Sequence, residues 1–248
     1  MGRPRRRGSL TYYRDDLALV HQLGFGFHAD ATAPGILALL EPVRGGLVLE
    51  LGCGSGLLTR YLVEAGHRVL ATDASPAMLA LARDTAPVAE VRQLVLPDDP
   101  LPECDAVVSV GHVLSYLSDE AAVDRTLAAS AHALRPSGVL ALDLCDLRYG
   151  ELRRDEPNSS RIADDWAIVT HFSLPRPNLF VREIAAFLRS EDGTWRRDDE
   201  RHENVLVDTS AVPALLAEHG VQAWVRASFG NEELPVGLVA IVGRKADG

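Results

Sequence analysis

Gly52, Gly54 and Gly56 stand at alternate positions directly after an apolar run, Leu47-Val48-Leu49-Glu50-Leu51, whose one acidic side chain is Glu50. Glycine accepts positive φ and lets the backbone approach a ligand with no Cβ between them, so this spacing suits a turn that cradles a nucleotide-like molecule. A dinucleotide fingerprint would require Gly-x-Gly-x-x-Gly/Ala. Counted from Gly52 its last position is Leu57, and counted from Gly54 it is Thr59, so the pattern fails. No Gly-Lys-Ser/Thr follows, so a triphosphate would find no lysine to meet it. Glu50 would repel a pyrophosphate and suits a ligand that carries positive charge. Asp73 lies roughly 20 residues beyond the turn, at the spacing from which a carboxylate accepts both hydrogen bonds of a ribose diol.

The elements that position these residues follow from patterning. Residues 47–51 read as a buried strand and 57–65 as a helix. A second strand over 67–72 ends at Asp73, and Ser75 is placed to cap a helix whose first position is Pro76. Residues 90–96, 104–110 and 139–144 read as further strands, the second leading into Gly111 and His112. Alternation of strands and helices predicts a parallel sheet. Residues 10–42 read as a helical N-terminal segment. After Leu147 the pattern changes to three strands, 166–174, 179–190 and 194–207, separated by turns at 175–178 and 191–193. Thr209 then reads as the cap of a helix over 211–219 that stops at Gly220, and 221–228 with 236–242 close the sheet.

The stretch Glu50-Leu51-Gly52-Cys53-Gly54-Ser55-Gly56 resembles motif I of the class I S-adenosylmethionine-dependent methyltransferases. Asp73-Ala74-Ser75-Pro76-Ala77-Met78 resembles their second motif, and Leu134-Arg135-Pro136-Ser137-Gly138 the turn before their fifth strand. The resemblance runs from Leu10 onward. It implies an α/β, Rossmann-like fold: a seven-stranded, mostly parallel sheet with an antiparallel final strand and helices on both faces, plus an inserted antiparallel β cap at about 160–206. It also implies S-adenosyl-L-methionine as cofactor, a sulfonium with an α-ammonium and no phosphate. The cofactor-binding residues it implies are Tyr13, Glu50, Gly52, Cys53, Gly54, Gly56, Asp73, Ala74, Met78, Val95 and Gly111. One departure is visible: relatives place an acid after the third strand to receive the adenine amino group, whereas Leu94 to Leu96 are apolar.

An inserted cap resembles that of the bacterial sugar N-methyltransferases and the glycine-type N-methyltransferases, and Glu200-Arg201-His202-Glu203 resembles a stretch of that branch. Methyl transfer asks a protein mainly to align a lone pair with the methyl carbon and to exclude water. Acceptors protonated at neutral pH also need a base. His112, at the carboxyl edge of the fourth strand, is the first candidate and His202, on the cap, the second. Tyr12, His28, Trp166 and His171 are the candidates for touching the substrate. Catechol-type relatives gather carboxylates after the fourth and fifth strands; Asp143 and Asp146 alone do not make such a site, so no metal is expected.

The chain has 248 residues, 47% of them hydrophobic and 24% charged, the composition of a globular protein with one sizeable core. A net charge of −10 disfavours a polyanionic partner. The basic run in residues 1–9 reads as a disordered tail ahead of a single domain over 10–248. Arginine supplies every basic side chain except Lys245, the usage of a GC-rich bacterial genome. Cys53, Cys104 and Cys145 are an odd number without ligand spacing and read as reduced filler. With no apolar run of membrane length and no signal sequence, a cytoplasmic location is expected. The expected activity is methylation of a small molecule at nitrogen or oxygen, in secondary metabolism, by a chain that may pair as a homodimer. RNA or protein side-chain methylation, and cofactor binding without transfer, are the alternatives.

Overall fold

The computed structural model describes residues 12–247; the basic run at 1–9 lies outside them. In chain order the elements are α1 (Asp15–Gly24), α2 (Phe27–Leu40), β1 (Leu47–Leu51), α3 (Leu57–Glu64), β2 (Arg68–Asp73), α4 (Pro76–Thr85), β3 (Glu90–Gln93), β4 (Cys104–Ser109), α5 (Glu120–Ala133) and β5 (Leu134–Cys145). They continue with β6 (Asn158–Ile162), β7 (Trp166–Arg176), β8 (Leu179–Arg189), β9 (Trp195–Val205), α6 (Val212–Glu218), β10 (Val221–Arg226) and β11 (Leu238–Lys245).

Seven strands form one sheet in the order β10-β11-β5-β4-β1-β2-β3, with β11 antiparallel to both of its neighbours and every other pair parallel. The central strands are covered on both faces, which is why they are near-continuous apolar runs. Adjacent residues point to opposite faces. Leu49, Leu140 and Leu142 pack with α5 and α6, while Val48, Ala106 and Ala141 pack with α2, α3 and α4. Strand order reverses between β1 and β4, and there the carboxyl ends open a crevice.

The cap is a separate antiparallel sheet, β6-β7-β8-β9, with four strands rather than three. The extra strand is Asn158–Ile162, whose polar, mostly exposed residues carry no apolar alternation and cover only an edge. Helix α1 joins the cap to the domain by burying Leu17 and Val20 against Ile168, Ile184 and Leu188. Three boundaries also differ from the sequence reading. Strand β3 stops at Gln93, because the Val95 amide is taken by the Asp99 carboxylate at 2.7 Å, drawing the chain into a turn. Strand β5 begins at Leu134, which pairs with Cys104 ahead of an irregularity. Asp208 rather than Thr209 caps the short helical turn Thr209–Ala211, accepting from the Ser210 amide at 3.1 Å. Ser75 does cap α4, accepting from the Met78 amide at 3.2 Å. Among the described residues no single helix is long and apolar enough to cross a membrane.

Candidate active site

The crevice begins at the glycine turn, where the glycines do different work. A Cβ on Gly52 (φ 69°) would lie 2.4 Å from the methyl carbons of Val113, so only a bare backbone lets the segment after β4 close over the turn. A Cβ on Gly54 (φ 54°) would meet nothing within 4 Å, because that position faces the open crevice. Gly56 does not line the crevice; it lets α3 pack on α4, with Ala82 Cα 3.0 Å from the position of a Cβ.

Asp73 ends β2 at the rim. Its Oδ2 accepts from the Gly54 amide at 2.9 Å and its Oδ1 from the Ser75 amide at 2.8 Å. Burial raises its pKa, and the backbone bonds work against that rise. Each oxygen keeps a further lone pair for a ligand. Among the described residues Asp73 is the one carboxylate lining a cavity of about 290 Å³, to which Tyr12, Tyr13, Gly52, Gly54, Ala74, Met78, Val95 and Gly111 also contribute.

Two other sequence candidates lie behind the turn instead of in the crevice. Glu50 is buried and accepts from the Thr59 hydroxyl at 2.6 Å. Burial pushes its carboxyl up to about 8, so it is largely neutral at pH 7 and offers no ready anion. Cys53 is buried in the core between the sheet and α2, its thiol pushed well up by burial. Glu50 falls on the core face because β1 alternates, and Cys53 is turned into the core by the left-handed Gly52 beyond the strand's end.

The chain's N-terminal segment and the cap meet above the crevice. Tyr13 has a left-handed backbone (φ 55°). Its amide donates to Glu200 at 2.8 Å, the Arg14 amide donates to the other oxygen at 2.7 Å, and its carbonyl accepts from the Ser75 hydroxyl at 2.7 Å. Its phenol shares a 2.8 Å hydrogen bond with Tyr116. The Tyr12 ring lies 5.0 Å from that of Tyr116 and 4.8 Å from that of His202. His202 is fully buried, its Nε2 2.8 Å from Glu200 and its Nδ1 3.4 Å from the Tyr116 hydroxyl. Burial opposes the Glu200 charge, yet hydrogen bonds from His202 and the Arg14 and Tyr13 amides hold its pKa below the ordinary value. His202 therefore sits behind Tyr116 rather than facing the crevice.

His112 follows β4 in a left-handed conformation (φ 51°). Its amide donates to Asp143 Oδ1 at 2.6 Å, and the Gly111 amide donates to Oδ2 at 2.9 Å. The ring turns away from the crevice lining, 5.5 Å from Tyr116 and 5.7 Å from Tyr149. Its Nδ1 is buried without a partner among the described residues, and burial followed by the Arg182 charge holds its pKa well below 6.5. His28 does not line the crevice; its Nε2 lies 3.3 Å from Asp143, bracing the same turn. His171 is exposed on the outer cap face, where β7 pairs it with Glu183, and its Nδ1 is 3.0 Å from Asn158. Trp166 packs against Gly24 and α1 and does not line the crevice. Neither is placed to touch a substrate.

Sequence reading missed Asp143 as the brace of the turn, as well as Tyr116, Tyr149, Arg182, Asn204 and His21. One signal was present. Arg182 interrupts an inward-facing row with Phe180 and Ile184 as its apolar neighbours on β8, and a charge in such a row needs a reason.

Residues 48–138 match the methyltransferase-domain family. A malonyl-[acyl-carrier protein] O-methyltransferase of Pectobacterium atrosepticum is 35% identical over 118 residues, 47% of this chain and 46% of that protein. The chain thus spans about half the length of that relative. The crystal structure of an S-adenosylmethionine-dependent methyltransferase from Clostridium acetobutylicum superposes with a TM-score of 0.77 at 15% identity, covering 92% of this chain and 97% of the other. The sugar N-methyltransferase KedS8 of Streptoalloteichus sp. gives 0.75 at 21% identity, covering 100% and 98%. These likenesses show the fold, and the match over residues 48–138 is to a methyltransferase domain. The cofactor named for the Clostridium protein, S-adenosylmethionine, is the one to test against the crevice.

The residues present fit that cofactor. Asp73 offers two oxygens to a diol, and Gly54 and Gly111 present bare backbone to open space. Met78 and Leu94 supply apolar wall. Among the described residues no lysine or arginine lines the crevice to meet a phosphate.

Proposed function

We propose that the protein transfers a methyl group from S-adenosylmethionine to nitrogen or oxygen of a small molecule, as a step of secondary metabolism. The observation that carries this reading is the cap: β8 and β9 turn Arg182, His202 and Asn204 inward, over the end of the crevice where Tyr12, Tyr13 and Tyr116 gather. Such a roof leaves room for a small acceptor. The fold shared with the sugar N-methyltransferase KedS8 over the whole chain favours the same acceptor size.

The bound cofactor supplies an activated methyl on a sulfonium. The chain's residues bind, orient and exclude water. Asp73 holds the ribose hydroxyls, Gly52 and Gly54 let the backbone approach, and Ala74, Met78 and Val95 flank the base. Tyr13, His21 and Gly111 also line the crevice. His112 is assigned as the base: its Nδ1 has no partner among the described residues, and the ring must turn toward the crevice to take the acceptor proton. Its depressed pKa keeps the ring neutral, and so able to accept, throughout the neutral range. Burial of that ring keeps bulk water from competing for the methyl.

Methyl-labelled cofactor incubated with the protein and an extract of the source organism tests this. Label is expected in a low-molecular-weight product. Label in RNA or protein, or in no product from a protein that still binds S-adenosylhomocysteine, would overturn it.

A further inference from the structure

We propose that the Tyr13 hydroxyl is fixed as a hydrogen-bond acceptor at the crevice wall, so that the site takes a methyl acceptor presenting an N–H or O–H and turns away a carboxylate. Tyr116, His202 and Glu200 are the positioning residues that fix it. This deepens the small-molecule reading above and rests on it.

The direction of each hydrogen bond follows from counting hydrogens and lone pairs. Glu200 receives the Tyr13 amide on one oxygen at 2.8 Å and the Arg14 amide on the other at 2.7 Å. With both oxygens accepting and its pKa held down by these bonds and by His202, it is an ionised acceptor. The His202 Nε2, 2.8 Å from that carboxylate, therefore carries the ring proton. Burial holds the pKa of His202 below its ordinary value, so the ring is neutral and Nδ1 is a bare lone pair. The Tyr116 hydroxyl meets it at 3.4 Å. With its one hydrogen directed there, Tyr116 can only accept from Arg182 Nη2 and from the Tyr13 hydroxyl, the latter at 2.8 Å. Those two donors fill its lone pairs. Tyr13 in turn directs its one hydrogen to Tyr116, and its hydroxyl has no other hydrogen-bond partner among the described residues. Only lone pairs remain to it.

Tyr13 and Tyr116 both line the crevice, and the bond between their hydroxyls is only partly buried. The Tyr13 carbonyl is held by the Ser75 hydroxyl just beyond Asp73, while Tyr116 follows β4, so the pair reaches from the β2 side of the crevice to the β4 side. A phenol free to turn its O–H can donate or accept, and so does not discriminate. One whose hydrogen is fixed elsewhere selects for the polarity of its ligand. An amine or a hydroxyl supplies the missing hydrogen. A carboxylate brings lone pairs against lone pairs, and desolvated oxygens left unmatched in this way are strongly disfavoured. The role is orientation: a hydrogen held by Tyr13 fixes the direction in which the nucleophile's own lone pair points.

The test uses the full chain. In protein saturated with S-adenosylhomocysteine, nitrogen-15 NMR of the imidazoles should show His202 with its proton on Nε2 and Nδ1 bare at neutral pH. The signal is assigned by its loss in His202→Gln or, if that variant does not fold, by its displacement in Tyr116→Phe. A proton on Nδ1 would reverse the bonds from His202 to Tyr13 and overturn the proposal. Methyl-labelled cofactor incubated with the protein and an extract of the source organism should give a small product whose label survives mild alkali, as an amine or an ether does. Label released by alkali as methanol marks a methyl ester and overturns it. Tyr13→Phe should slow labelling about tenfold or more at high dilution of the extract, where the rate follows kcat/KM, with S-adenosylhomocysteine affinity within about twofold of wild type. Unchanged labelling overturns the proposal. So does a loss of S-adenosylhomocysteine affinity, which would assign the lone pairs to the cofactor's ammonium. No labelled product at all would count against the methyltransferase reading, and the His202 tautomer would still decide the polarity of Tyr13.

Discussion

The crevice and the space beneath the cap are neighbours built from different materials. The crevice is built at its glycine turn from backbone, with three left-handed glycines and amide groups, beside one carboxylate among the described residues, Asp73, tied down by the amides of Gly54 and Ser75. The space under the cap is made of side chains from distant segments, with Tyr13, His112, Tyr116, Arg182 and His202 converging. A backbone site is hard to retune by substitution and suits an invariant ligand. A side-chain site can be rewritten on the cap without disturbing the sheet.

That contrast can be broken by experiment. The largest effect is expected at His112. His112→Ala should slow turnover by about 10²-fold or more, the worth of a positioned base, while S-adenosylhomocysteine affinity stays near wild type. Because the native ring titrates well below 6.5, wild-type activity should persist to more acidic pH than an ordinary histidine base would allow. Loss of cofactor affinity in the variant would place His112 in the crevice instead.

Next is Gly52→Ala, whose Cβ would meet Val113 at 2.4 Å on a left-handed backbone. It should cost on the order of 2–4 kcal/mol in denaturant unfolding. Gly54→Ala should cost much less stability, having no neighbour within 4 Å, and should act instead on ligand affinity. Equal stability losses would contradict the separate roles given to these glycines.

Glu50 gives a pH-dependent test. Its folded pKa, about 8, lies above the unfolded value near 4.5, so the folded state binds more protons between those limits. Stability is therefore fully present below the unfolded value and falls as pH rises toward about 8, by at most about 1.4 kcal/mol per pH unit. Glu50→Gln should flatten this slope in ligand-free melting curves and match wild type near pH 4. A wild-type protein that gains stability across that window would refute the assignment.

The smallest effect is expected where α1 meets the cap. Arg196 grips Asp16 with a 2.7 Å contact, but the arginine is half exposed and screened by solvent. Arg196→Ala should barely move the melting temperature, and less still in high salt; a large loss would mean that the cap is held on by charge rather than by Leu17 and Val20.

The same contrast decides what could be read from sequence. Local spacing carried the glycine turn, Asp73 and the Ser75 cap, because each depends on residues close in the chain; the antiparallel final strand came from the family resemblance. The space under the cap depends on pairings such as Arg182 with His202, and on parity that turns His202 in and His171 out. Glu50 and Cys53 show a related point: a motif names positions, while the local backbone decides whether a side chain faces the core or the crevice. The polar edge strand at 158–162 had no apolar signature to find.

The most direct test of the central claim is calorimetric titration of S-adenosylhomocysteine into the wild type and Asp73→Ala, with NADH as the control ligand. The account predicts one-to-one binding by the wild type in preference to NADH. It predicts a loss of about 1–3 kcal/mol in the variant, as buried hydroxyls lose a charged acceptor. Equal affinity in the two proteins, or a wild type that binds NADH more tightly, would contradict it.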